Sequence, residues 1–233
     1  MAAQHCEGDT DTRHNSHSSP APLTIPDIQL PFAVAPPRAD TERLRAHALA
    51  WAQRYGLIGR RGAHRLTTTA LLDLGIALCG RAPTHRAQTL VCWYLWALTL
   101  DDRIDDGPWA ENGALEHFIA AVQALTDSGD AVPSGERGGF EDPMLAVLVD
   151  DLWPETQRWG SGPWRQRLAG HLIQHLRAQA AQVRMRETDT ALALAEYLPL
   201  RRDSFGALFF FDLIDGADAL EQHEHPAQVE TWC

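Results

Sequence analysis

Apolar positions recur with helical spacing along most of the chain. Between residues 40 and 55, Leu44, Ala48, Leu49, Trp51 and Ala52 fall on one side of a helix, with Asp40 or Thr41 as its N-cap and Gly56 as its stop. Residues 59–65 are basic and contain glycine, which predicts a turn, and residues 67–79 predict a second apolar helix closed by Gly80. The longest uninterrupted pattern runs from 84 to 106 and ends at Gly107-Pro108. Its middle is apolar on every side, as expected of a helix surrounded by other helices. Further helices are predicted at 115–125, 144–159 and 164–187, the last carrying Leu168, Leu172, Ile173, Leu176, Ala180 and Val183 at helical spacing. Residues 127–143 read as the longest loop, and Pro199 is expected to kink or break the helical segment that precedes the apolar run 207–214. No stretch keeps a period of two, so the expected fold class is all-α.

Composition bounds this picture. A chain of 233 residues with 45% hydrophobic content suffices for one core, taken as a single domain over residues 31–233. Residues 1–30 are polar and proline-punctuated and are expected to form a disordered tail, followed by an extended Ile28-Gln29-Leu30-Pro31-Phe32. The net charge is −11 and every base is arginine, so no nucleic-acid footprint is expected. Four cysteines without C-x-x-C spacing indicate neither a disulfide framework nor zinc. No apolar run reaches the ~18 residues of a membrane span, and a soluble, cytoplasmic protein is the expectation.

Two stretches carry candidate chemistry. The central helix ends in Asp101-Asp102-Arg103-Ile104-Asp105-Asp106, which puts carboxylates where the helix dipole is negative and disfavours them. Spacings of three and four let these acids gather at one rim, and a hard divalent cation with oxygen ligands, Mg²⁺ above all, would relieve their repulsion. Otherwise they form a solvated acidic helix end partly neutralised by Arg103. The second stretch joins Arg201-Arg202, whose forked donors suit a diphosphate, to Phe209, Phe210 and Phe211, whose rings suit a cation. Its bland alternative is a pair of solvated arginines and core phenylalanines. His171 and His175 lie four apart on a predicted helix, but without an H-E-x-x-H pattern they read as surface or core histidines.

At these residues the sequence resembles the class I terpene cyclases of bacteria and fungi. Asp101 to Asp106 fits their D-D-x-x-D/E motif; Tyr197, Arg201, Ser204 and Gly206 fit their tyrosine, arginine, threonine or serine, and glycine pattern at a helix break. Trp51, Tyr55, Gly56 and Leu57 fit the end of their first helix. The resemblance implies a class I terpenoid-synthase-like helical bundle that ionises and cyclises a prenyl diphosphate, farnesyl diphosphate above all. It implies Mg²⁺, with Mn²⁺ as substitute, held by Asp101, Asp102 and Asp105. Arg201 would sense the diphosphate and residues 204–206 would form a linker that moves with it. Tyr197, Arg202, Trp93, Trp96, Phe209 and Phe210 would face the substrate. A prenyl-chain elongating synthase is a rival, but it carries two aspartate-rich motifs. The family's second metal motif, N-D-x-x-S-x-x-x-E, has no counterpart, since residues 221–233 contain no asparagine. The chain therefore looks like a cyclase incomplete at its C-terminus. The alternative is a non-catalytic member that binds Mg²⁺ and diphosphate weakly or needs a C-terminal half from elsewhere; a homodimer is left open.

Overall fold

The computed structural model describes residues 37–105, 109, 113–128 and 142–224, with side chains as far as 218. The expected tail at 1–30, the extended segment before Pro36, Asp106, most of the 127–143 loop and the end of the chain lie outside the described residues.

Ten α-helices, and no strand, occur among the described residues. The central helix, α4, spans Thr84–Asp105. All seven residues from Leu90 to Trp96 are buried, two full turns with no outward face, so neighbours must cover it on all sides. Helices α1 (Thr41–Arg54) and α3 (Leu71–Leu78) touch each other and α4. On the other flank α10 (Ala207–Glu224) lies between α4 and α8 (Gly162–Glu187), and α5 (Ala114–Asp127) and α9 (Leu194–Ser204) pack on α8.

Helix boundaries follow the expected stops in several places. Gly56 and Gly80 take φ of +67° and +48° after α1 and α3, the left-handed conformation that ends a helix without a Cβ penalty. Asp40 occupies the N-cap position, yet its carboxylate makes no cap hydrogen bond. It accepts from Arg38 Nε at 2.9 Å and from Thr84 Oγ1 at 2.8 Å, fastening the start of α1 to the start of α4. The Arg38 guanidinium holds its pKa down at about 2.

Four expectations need correction. The basic turn at 59–65 is helix α2, Arg60–Thr68, and the helix expected at 67–79 begins only at Leu71. The cause is Thr67-Thr68-Thr69, whose hydroxyls donate to the His64 and Arg65 carbonyls and compete with the helical ladder. The helix expected at 144–159 is divided into α6 (Pro143–Val147), a π-helical turn (Leu148–Leu152) and α7 (Trp153–Thr156). Pro154 has no N–H to offer the Asp150 carbonyl, so a regular ladder cannot pass through it. Pro199, by contrast, sits inside an unbroken α9. The carbonyl it leaves without a donor, that of Ala195, lies in the exposed first turns, where water can satisfy it.

Buried polar groups tie these layers together. Trp93 Nε1 donates to Thr156 Oγ1 at 2.8 Å and Trp96 Nε1 to the Met144 carbonyl at 3.1 Å, so both indoles are satisfied by the α6–α7 stretch. Trp51 Nε1 reaches Asp151 Oδ2 in the π turn at 2.6 Å. Arg86, buried on α4, donates to the Gly216 carbonyl of α10 and lies over the Trp159 ring at 5.7 Å. On α8, Arg167 and His171 both hold the buried Asp212 carboxylate at 2.6 Å, so His171 is a helix-packing residue. The outward side of α9 and early α10 is different in kind: Leu194, Leu198, Phe205 and Phe211 are each more than half exposed.

Candidate active site

The C-terminal ends of α4 and α8 and the middle of α9 enclose a cleft of about 540 Å³. Asp101 and Asp105 line it from α4, Gln179 and Arg186 from α8, Asp189 from the connection after α8, and Arg201 from α9. The spacing explains the α4 contribution: positions 101 and 105 are four apart and share a face, whereas 102 lies about 100° further round. Asp102 accordingly points elsewhere and pairs with Arg65 of α2 at 2.6 Å. Arg103 turns away as well, to Asp142 at 3.1 Å and over the Trp109 ring at 5.4 Å.

Within the cleft each of the two α4 acids has a partner from α8. Gln179 Nε2 donates to Asp101 Oδ1 at 3.3 Å, and Arg186 Nη1 to Asp105 Oδ1 at 2.9 Å. Arg186 Nη2 also donates to the Ile104 carbonyl at 3.3 Å, one of the four at the end of α4 that have no helical donor. These contacts explain how carboxylates persist against the helix dipole: cations and donors from α2 and α8 are set beside them. Asp189 completes the rim at φ +47°, a left-handed conformation that Asp tolerates better than most residues.

Arg201 lies on the exposed side of α9, its guanidinium 5.9 Å from the Phe205 ring. Three residues on, Ser204 is buried and its hydroxyl donates to the Arg201 carbonyl at 3.2 Å. Phe205 and Gly206 then interrupt the helix, with Gly206 at φ +74°. A Cβ on Gly206 would meet the His175 ring at 3.2–3.4 Å. That ring is buried, its Nδ1 lies 3.2 Å from the Asp203 carbonyl as the donor of that bond, and it stacks on Phe209 with 6.4 Å between centroids. Burial pushes the His175 pKa below the usual imidazole range. The helix break is thus clamped by a histidine that sequence reasoning passed over as a core residue.

The remaining expected residues divide into two groups. Trp93, Trp96 and Phe209 come together fully buried, Trp93 edge-on to both others with centroids 5.5 and 5.2 Å apart. Phe210 is partly buried against Tyr94 and Phe209. None of these four lines the cleft. Arg202 pairs with Asp203 at 2.8 Å, and Tyr197 is exposed; neither lines the cleft. Sequence reasoning missed Gln179, Arg186 and Asp189. Arg186 carried no distinguishing signal, because arginine in the last turn of a helix is ordinary complementation of the dipole.

Such a bundle has the all-α fold of the class I terpene synthases. A linalool/nerolidol synthase from Streptomyces clavuligerus superposes with a TM-score of 0.66 at 23% identity, over 80% of this chain and 60% of that one. The ancestrally reconstructed SVS_A2 protein does so with a TM-score of 0.71 at 22% identity, over 87% and 61%. Residues 92–230 match the family described as terpene synthase family 2, C-terminal metal binding, and the chain belongs to that family. Pristinol synthase of Streptomyces pristinaespiralis is 28% identical over 182 residues, 77% of this chain and 47% of that protein. For 10-epi-cubebol synthase of Sorangium cellulosum the figures are 23% over 205 residues, 86% and 64%. The chain thus spans from about half to under two thirds of the length of these relatives.

Proposed function

We propose that this chain forms the diphosphate-binding end of a Mg²⁺-dependent terpene synthase acting on an allylic prenyl diphosphate, with farnesyl diphosphate as the expected substrate. The observation that carries the reading is the convergence of Asp101, Asp105 and Arg201 on one cleft from positions up to 100 residues apart. Support for the substrate class comes from the related linalool/nerolidol synthase, whose structure is known in complex with 2-fluorogeranyl diphosphate.

The donor set fits a hard divalent cation in kind: two carboxylates open to one polar cleft, with room for water and phosphate oxygens. It is a partial set, since no group of three or more His, Cys, Asp or Glu side chains stands ready to hold a metal among the described residues. Asp101 and Asp105 would hold the ion, and Asp102 keeps α2 in place through Arg65. When bound, Mg²⁺ supplies Lewis-acid neutralisation of the leaving diphosphate. Arg201 contributes a charged fork to the same anion, in a position where arginine does better than lysine. Ser204 and Gly206 connect that arginine to the helix break, and the His175 clamp holds the break in a defined conformation.

A second reading, in which this chain binds metal and diphosphate without efficient turnover, is favoured by the state of the aromatic wall. Trp93, Trp96 and Phe209 fill the core against one another and leave no part of themselves lining the cleft, so among the described residues these three rings form no wall for a prenyl chain held there. The test incubates the purified chain with farnesyl diphosphate and Mg²⁺ and examines the extract by gas chromatography and mass spectrometry. Linear or hydrated prenyl alcohols in trace amount are the expected products of the chain alone. Multi-turnover formation of one cyclic terpene would refute the second reading, and failure to bind diphosphate at all would refute both.

A further inference from the structure

Resting on that reading of the cleft, we propose that Arg186 is a resident counter-cation: it occupies Asp105 while the cleft holds no diphosphate and transfers to the diphosphate when one arrives, so that metal and anion load together. The geometry carries this in three parts. First, the guanidinium stands where a cation on Asp105 would stand, with Nη1 at 2.9 Å from Oδ1. Second, the pair is half exposed on both sides and lines the same cleft as Asp101 and Arg201, so the side chain is free to swing toward an anion held there. Third, the bonds it would give up are weak: a half-exposed ion pair contributes at most about fivefold in a local equilibrium, and the second contact, to the Ile104 carbonyl, is long at 3.3 Å.

The consequence is a coupling between two ligands. A divalent cation arriving alone must displace a guanidinium from Asp105, and a diphosphate arriving alone meets an arginine engaged elsewhere. Each ligand removes the obstacle to the other, and linkage requires the effect to be equal in both directions. Arg184, one residue before Met185 on the same helix, pairs with Glu116 at 3.2 Å and does not line the cleft. It therefore provides a control of identical charge.

The test measures binding of Mn²⁺ alone, by the loss of its free-ion paramagnetic resonance signal, and of inorganic diphosphate alone, by calorimetry in the presence of chelator. Arg186→Gln is expected to tighten Mn²⁺ binding about threefold or more and to weaken diphosphate binding. Arg184→Gln should change neither appreciably. In an Asp105→Asn background the effect of Arg186→Gln on Mn²⁺ should vanish, and Arg186→Lys should restore part of the competition. Circular dichroism establishes that each variant is folded. Unchanged or weakened Mn²⁺ binding in Arg186→Gln, with the parent chain binding both ligands, would overturn the counter-cation role and leave the proposed function standing. Absence of Mn²⁺ and diphosphate binding in the parent chain would overturn both.

Discussion

Replacing Gly206 by alanine tests the clamped helix break, and its cost can be worked from the geometry. At φ +74° an L side chain is strained, which costs roughly 1–2 kcal/mol. The new Cβ would stand 3.2 Å from His175 Nδ1 and 3.3–3.4 Å from two ring carbons, so the imidazole must retreat by a few tenths of an ångström. Retreat is not free, because Nδ1 donates to the Asp203 carbonyl and the ring is stacked on Phe209; weakening that bond adds on the order of 0.5–1 kcal/mol. The sum, about 1.5–3 kcal/mol, corresponds to a fall in Tm of roughly 3–12 °C for a domain of this size. Thermal and urea unfolding followed by circular dichroism measure it. The matched control is Gly170→Ala in the exposed interior of α8, where a Cβ meets nothing within 4 Å and helix propensity should stabilise by about 0.5–1 kcal/mol. If Gly206→Ala unfolds with the parent chain, or if both alanines shift stability in the same direction, the strain and clamp argument fails.

Three further outcomes are expected. Asp101→Asn should abolish Mn²⁺ retention in the presence of diphosphate while helical content stays intact, whereas Asp102→Asn should chiefly loosen α2; proteolysis near Arg65 together with Mn²⁺ titration separates the two. Because the folded-state pKa of His175 lies below its unfolded value, the unfolded chain binds more protons between the two values, so stability should fall as pH drops below about 6.5, by up to ~1.4 kcal/mol per pH unit; His47, lowered by burial, acts in the same direction, and urea midpoints for His175→Asn should show a shallower dependence. Burial pushes the Cys79 thiol up to about 12 and raises Cys92 well above its usual range, so labelling with a thiol reagent at pH 8 should reach these two only after unfolding, as read by peptide mass spectrometry.

The parts of the fold legible in the sequence were those where one physical signal dominated. Residues 84–106 announced α4 because burial on all sides leaves an unbroken apolar run, and the helix indeed spans Thr84–Asp105. Arg60–Thr68 stayed hidden because that helix buries only Leu66 and so shows no apolar stripe. The threonine run at 67–69 and Pro154 are local interruptions whose consequences depend on which carbonyls remain available, a tertiary matter. Asp101, Asp105 and Arg201 stand out in the sequence by charge placement and resemblance, and all three line one cleft. Asp102 shares a helix edge with Asp105 by its spacing of three, but it turns to Arg65 of α2, a partner that nothing local in the sequence marks. Arg186 lies 81 residues from Asp105, and nothing local marks which of the arginines of α8 reaches it.

The exposed apolar side chains of α9 and early α10 govern how the chain behaves as a colloid. A net charge of −11 keeps copies apart in dilute buffer, where like-charged molecules repel over tens of ångströms. Leu194, Leu198, Phe205 and Phe211 are adhesive points that this repulsion holds out of reach. Added salt shrinks the screening length to about 10 Å at 0.1 M and about 3 Å at 1 M, while leaving the apolar attraction in place or strengthening it. Solubility should therefore decline with ionic strength, and the chain should be retained on a phenyl-derivatised resin in moderate salt and released simply by diluting the buffer.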